Sequence, residues 1–471
     1  MHDGVAGIRA RAAATIGPMR TWVSPFFACL IMAVSVCGCV DRGPARPPNV
    51  LLISIDTLRA DMLGCYGYDR PTSPTLDLLA AAGALYENAF TTSPWTLPAH
   101  ASLLTGLYPR HHGATTERRA LRRGTPTLGE ILSKEGFATM AVVNSHYVGR
   151  RYGFGRGFDE FVSIEERMSE RDPSQVVDTA LAWLSKKREG PFFLFLHDYD
   201  VHSDYGALPE YEKIFVRPYQ GRISGSTQQL LQFGREPFEL NASDVEHLID
   251  LYAAGIRQTD AELARLIEHL RATEELDNTL IIVTSDHGEE FLEHGGVLHA
   301  RTQYDEVIRI PLILSGPGVP RGRRIVEPVS INDILPTTLG LVGIPWDGAV
   351  DGMDVSQLWR TDASEAARDR ILFGEADQNN EKPDITRSAR YGRYKLIYNR
   401  LNRQSALYDL RADPRERHDV SDAQPEIKRQ LMKALRRFES VRMAGDRLPA
   451  IDEETRRRLE GLGYMQDRGD P

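Results

Sequence analysis

Asn49-Val50-Leu51-Leu52-Ile53-Ser54-Ile55-Asp56 is an apolar, β-branched run that stops on a carboxylate. Apart from Ser54 the run lacks polar alternation, which predicts a strand buried on both faces, as in parallel sheets. Similar runs recur at 137–143, 192–196 and 279–284. Helical patterns separate them: one opens at Ser73-Pro74 and closes at Gly83, and others cover 127–135, 173–187 and 244–271. Strands alternating with helices predict an α/β fold, a large, mixed, mostly parallel sheet flanked by helices, over a catalytic domain at 49–345. Beyond it, short strands at 371–375 and 395–398, a turn at Ala412-Asp413-Pro414, and helices at 426–438 and 453–462 predict a small C-terminal α+β domain at 346–471.

The 471 residues are 41% hydrophobic and 26% charged, with net charge −9. That balance fits a globular protein and argues against nucleic acid as a partner, since a nucleic-acid binder normally carries a basic face to neutralise phosphates. The run from Phe26 to Val36, preceded by Arg20, has the length of a signal h-region and is short for a membrane span. Val36-Cys37-Gly38-Cys39 resembles a bacterial lipobox, with Cys39 as the lipidated mature N-terminus; a plain cleaved signal is the alternative. The expectation is a lipoprotein-type signal segment at 1–39, a Pro-rich tether at 40–48, and an exported protein lipid-anchored to a membrane of the cell envelope. Of the cysteines at 29, 37, 39 and 65, Cys65 alone lies beyond that signal, so no intrachain disulfide framework is expected.

In open α/β sheets, ligands bind beyond the carboxyl ends of the strands. Asp56 follows the first strand, Asp286-His287 follows the run at 279–284, and His197-Asp198-Tyr199-Asp200-Val201-His202 follows the run at 192–196. A lone Asp after a strand is commonly a cap or turn residue, but three such sites at one edge point to chemistry. In Thr96-Leu97-Pro98-Ala99-His100 through Thr105-Gly106, Pro98 lies in the first turn of a helix that Gly106 ends, which puts Thr96 at its N-terminus. There, backbone N–H groups and the helix dipole favour an anion. By position alone Thr96 is an N-cap.

Taken in order, Ile53 to Asp61, Thr96 to Gly106, Thr284-Ser285-Asp286-His287-Gly288-Glu289, Tyr304-Asp305-Glu306, Asp333 to Thr337, and Leu407-Tyr408-Asp409-Leu410 with Asp413-Pro414 resemble the sulfatase family of the alkaline phosphatase superfamily. The resemblance implies a divalent metal held by Asp56, Asp286 and His287 with Thr96 at the fourth position. Zinc or manganese suits two carboxylates, an imidazole and an alkoxide better than calcium or magnesium does. Sulfatases proper oxidise the Cys or Ser of C/S-x-P-x-R to formylglycine. Here those positions are Thr96 and His100, so no formylglycine is expected and Thr96 acts unmodified.

Thr57 stands where the family usually has a second Asp, Asn144 replaces a family lysine, and His299 replaces another. The expected catalytic set is Thr96, His100, His202 and His299, with Asp198, His202 and His299 as a possible second metal site. His197 and His146 are either satisfied polar residues or part of the cleft. Threonine lacks the elimination route of a formylglycine hemisulfate, which puts a phosphate or phosphonate ester, cleaved through a covalent Thr96 intermediate, first. A sulfuric ester cleaved by unmodified Thr96 comes second, with an envelope phosphoryl-group transferase or an inactive binding protein as further alternatives. The expected substrate is a small-molecule or envelope ester.

Overall fold

Eight strands form the central sheet of the chain, a computed structural model that describes residues 46–164, 174–233, 239–359, 369–376, 386–441 and 445–449, with 452 and 457. The signal segment, most of the tether and nearly all of the expected helix at 453–462 lie outside the described residues. Across the sheet the order is Arg323–Ile325, Ala84–Tyr86, Leu312–Ser315, Thr279–Thr284, Asn49–Ile55, Phe192–Asp198, Ala138–Val143 and Glu160–Ser163. Every pairing is parallel except the two made by Leu312–Ser315. Asn49–Ile55 is wholly buried between Thr279–Thr284 and Phe192–Asp198, because helices cover both faces and two apolar clusters fill the layers above and below.

Register positions the site. Ser54 pairs with Thr284 on one side and with His197 on the other. Asp56 and Asp286, each two residues further on, therefore leave the sheet at the same height, and His197 stands two pairs below them. On one face the helix Ala242–Ala272, opened by an Asn241–Asp244 capping box, packs against Gln175–Leu184 and Pro74–Ala82. Helix Thr96–Thr105 is different, since all ten of its residues are buried. It ends at Gly106, whose φ of 70° is the left-handed conformation that glycine adopts at a helix C-terminus.

A four-stranded antiparallel sheet, Leu372–Ala376, Thr386–Tyr391, Tyr394–Asn399 and Ser405–Asp409, carries the helix Pro425–Glu439 on Leu431 and Leu435. Polar ties run from it across the expected boundary at 345: Lys395 is fully buried with Nζ 2.7 Å from both Asp305 and Glu416, and Arg110 pairs with Glu375. Lys395→Met leaves buried Glu416 without its cation and Asp305 with Arg390 alone. The expected loss is about 3 to 5 kcal/mol of unfolding free energy in urea titration. A loss under about 1 kcal/mol would mean that solvent reaches the cluster.

Candidate active site

Three lone pairs meet at the carboxyl edge of the central strands. Asp56 Oδ1 and Asp286 Oδ2 are buried and accept no hydrogen bond. His287 Nδ1 donates to Gly288 O at 3.0 Å, which leaves its Nε2 as an acceptor 3.2 Å from Asp286 Oδ2 and 3.9 Å from Asp56 Oδ1. Acceptor facing acceptor in a buried place is unfavourable unless a cation lies between them. Asp56, Asp286 and His287 are accordingly a set whose ligand atoms all lie within 4.8 Å of one another. Without a cation, burial pushes the Asp56 carboxyl up to about 7. The residues fit a divalent metal.

Thr96 is the first helical residue rather than the cap, which is Trp95. Its hydroxyl is thus not spent on capping. Oγ1 lies 3.4 Å from Asp56 Oδ2 and 3.5 Å from His287 Nε2, facing the cluster. The other oxygen contact of Asp56 is to His197, whose Nε2 is 3.2 Å from Oδ2. His197 therefore orients a candidate metal ligand, a role that its position in the sequence left open. Thr57, in the left-handed region at φ 57°, donates its N–H to Asp286 Oδ1 at 3.2 Å. A β-branched residue rarely takes that conformation, and here it turns the chain so that Asp56 and Asp286 face one centre.

His100 departs from its expected catalytic role. Its Nδ1 donates to Thr96 O at 2.9 Å, and its Nε2 accepts from Ser54 Oγ at 2.9 Å. Burial holds the ring neutral, with its pKa pushed down to about 3. With both nitrogens engaged, His100 pins the first turn of the Thr96 helix to the central strand as a positioning residue. Its backbone partner is the residue one helical turn earlier. For the possible second metal set, Asp198, His202 and His299 do not bring ligand atoms within 4.8 Å of one another among the described residues. Asp198 Oδ1 instead accepts from Asp200 N, and His202 Nδ1 donates to Ser203 O, with the His202 ring stacked on Tyr199. His146 packs against Tyr147 and Tyr152.

His299 stands beside the carboxylate cluster, with its ring 4.3 Å from that of His287 and 5.0 Å from that of His202. Its side chain keeps 14% exposure while Asp56, Asp286 and His287 have none, so the open side of the site is the side of His299. Sequence reasoning assigned no role to Glu289. This fully buried carboxyl lies 3.0 Å from His299 Nδ1 and accepts from Tyr205 OH at 2.8 Å, and burial pushes it up to about 8. Its place two residues after His287 was the one available signal. Removing the His299 ring is expected to lower turnover by about 10² to 10⁴ fold, with smaller losses for good leaving groups. Glu289→Gln keeps the shape but cannot release a proton, and should lower turnover more on poor leaving groups than on good ones. Equal losses for good and poor leaving groups would assign His299 to anion binding instead of proton transfer.

Residues 48–344, more than half of the chain, match the Sulfatase family, and residues 293–441 match the C-terminal region described as N-sulphoglucosamine sulphohydrolase. A Δ4,5-hexuronate-2-O-sulfatase of Bacteroides thetaiotaomicron is 24% identical over 427 residues, covering 83% of this chain and 88% of that protein. A choline-sulfatase of Rhizobium meliloti is 24% identical over 80% of this chain and 82% of its own. Among solved structures, a protein in complex with its substrate D-glucosamine-2-N,6-O-disulfate superposes with a TM-score of 0.72 at 19% identity, covering 84% of this chain and 98% of that one. The phosphonate monoester hydrolase of Agrobacterium radiobacter superposes with a TM-score of 0.67 at 20% identity, covering 83% and 95%. The chain belongs to the sulfatase family, whose members are hydrolases of sulfuric or phosphoric ester bonds.

Proposed function

We propose that this protein is a metal-dependent sulfuric ester hydrolase whose nucleophile is unmodified Thr96. The observation that carries the reading is the hydroxyl of Thr96 facing the Asp56, Asp286 and His287 lone pairs at 3.4 to 3.5 Å. A divalent cation held by those three residues, with zinc or manganese suited to the donor set, would polarise the ester's oxygens and lower the hydroxyl's pKa. Thr96 Oγ1, with Asp56 Oδ2 as acceptor for its hydrogen, attacks sulfur, and the bond from sulfur to the leaving oxygen breaks. His299 gives the leaving oxygen its Nε2 proton from the open side, and the protonated Glu289 carboxyl, 3.0 Å from Nδ1, returns a proton to the ring. Water then cleaves the threonine ester and restores Thr96.

Sulfate is placed first because the Bacteroides and Rhizobium relatives are sulfatases, which outweighs the preference for phosphorus drawn from threonine chemistry alone. A phosphate or phosphonate ester is the second reading, favoured by the phosphonate monoester hydrolase likeness and by the absence of a Cys or Ser at position 96. Rates for an aryl sulfate, a phosphate monoester, a phosphate diester and a phosphonate ester, on protein loaded with one defined metal, test the choice. The highest kcat/KM is expected on the sulfate; a phosphorus ester faster by tenfold or more would reverse the order.

The location proposed is the cell envelope, through a lipid on Cys39. No helix among the described residues is long and apolar enough to cross a membrane. Cys39→Ser should move the protein from the membrane to the soluble fraction or leave it unprocessed. Membrane association persisting in a chain that starts at Arg42 would refute the lipid anchor.

A further inference from the structure

Arg59 lines a cavity of about 540 Å³, within the size range of small-molecule sites. None of Asp56, Thr96, His197, Asp286, His287 or His299 lines it. Its carboxylates are already paired. Asp61 and Glu293 take Arg59, at 2.7 and 2.6 Å; Asp305 takes Lys395 and Arg390, at 2.7 and 3.3 Å; Glu306 takes His294 at 2.5 Å. His294 also presents Nε2 to Glu416 O at 3.2 Å. With both ring nitrogens facing acceptors it is held as the imidazolium, in line with a pKa raised by Glu306 against the effect of burial.

The uncommitted polar capacity of this cavity is cationic. Arg309 spends Nε and Nη2 on Glu87 O, which leaves Nη1. Arg390 lies 3.9 Å over the Phe90 ring and lines the cavity, with Nη1 3.3 Å from Asp305 Oδ2. Arg415 and Arg417, exposed at the rim, have no side-chain partner among the described residues. Phe291, Ile249 and Leu410 supply apolar wall between the charges. A site whose acids are neutralised and whose spare donors are guanidinium N–H groups complements an anion, and planar guanidinium forks suit sulfate, phosphate or carboxylate oxygens.

We propose that this cavity is a second ligand site, separate from the catalytic centre, for a small organic anion of about monosaccharide size bearing a sulfate, phosphate or carboxylate group. Arg390 and Arg309 contact the anionic group from the floor, and Arg415 and Arg417 close on it from the rim. The site does not depend on which ester the catalytic centre cleaves. Because Arg59 also donates to Glu289 O at 2.9 Å, the cavity and the segment that carries Asp286 to Glu289 share one side chain.

Calorimetric titration of metal-loaded Thr96→Ala protein with glucose 6-sulfate, glucose 6-phosphate and glucuronate tests this, the three probes separating the anionic groups. At least one probe is expected to show a binding event that persists in Asp286→Asn, where the catalytic centre is disabled. Adding Arg415→Glu and Arg417→Glu should weaken that event by about tenfold or more, as expected for lost charge-assisted hydrogen bonds. The same two rim changes in otherwise wild-type protein should leave turnover at low substrate concentration unchanged. Both rim residues are exposed, so folding is not at risk. The proposal is overturned if no probe binds, if all binding disappears with Asp286→Asn, or if the rim changes leave every affinity as it was.

Discussion

Thr96→Ala is expected to fold, to keep most of its metal affinity and to lose turnover by about 10⁴ fold or more, the scale of losing a covalent nucleophile. Stability should change little, because among the described residues the hydroxyl makes only two long contacts, 3.4 and 3.5 Å, and the γ-methyl lost with it is small. Thr96→Ser is the paired variant: the oxygen survives on the same helical turn, held in place by the His100 bond to the residue 96 carbonyl, and measurable activity is expected. Intact-mass and peptide analysis should find plain threonine at 96 in resting protein. During turnover it should carry the sulfuryl or phosphoryl group of whichever ester is the substrate. Near-normal rates in Thr96→Ala would mean that water attacks the ester directly, and the covalent route would be abandoned.

The second large effect is on metal. Asp286 uses Oδ1 to accept from Thr57 N and His287 N, at 3.2 and 2.8 Å, while Oδ2 accepts no hydrogen bond and faces the His287 nitrogen. Asp286→Ala removes both functions and lets the strained Thr57 turn relax, so it confuses metal loss with loop movement. Asp286→Asn separates them, because the amide oxygen can keep the backbone contacts while its NH2 group replaces the anionic ligand. Loss of bound metal by elemental analysis and loss of turnover are expected in both variants, with a native-like thermal transition in Asp286→Asn. Stoichiometric metal in Asp286→Asn would remove the central support for this site.

Much of the catalytic edge is legible in the chain because strands announce themselves locally. The run at 49–55 ends on Asp56, that at 279–284 leads to Asp286-His287, and parallel strands deliver the residues just after them to one edge. Helix Thr96–Thr105 was legible too, through Pro98 and Gly106, to within one residue at its start. The C-terminal sheet was only half visible. Thr386–Tyr391 and Ser405–Asp409 lack the long apolar runs of the central sheet, since their ladder has one solvated face and is identified by its partners.

Local pattern thus determined the sheet, its direction, and which carboxylates and histidine leave its edge, because each is written within a few residues of a strand or helix end. Tertiary structure alone decided which side chains share a centre. His100 was expected to touch substrate, but closing the buried Thr96 helix onto Ser54, 46 residues away in sequence, engages both of its nitrogens. Asp198, His202 and His299 have a ligand-like composition, and the His202 and His299 rings lie 5.0 Å apart, yet their ligand atoms do not gather within 4.8 Å among the described residues, and a backbone N–H, a backbone carbonyl and Glu289 are among their partners. Glu289 acquires its role from Tyr205, 84 residues away, and from His299. A side chain's chemistry depends on which donors and acceptors packing leaves within about 3 Å of it, and spacing along the chain does not specify that.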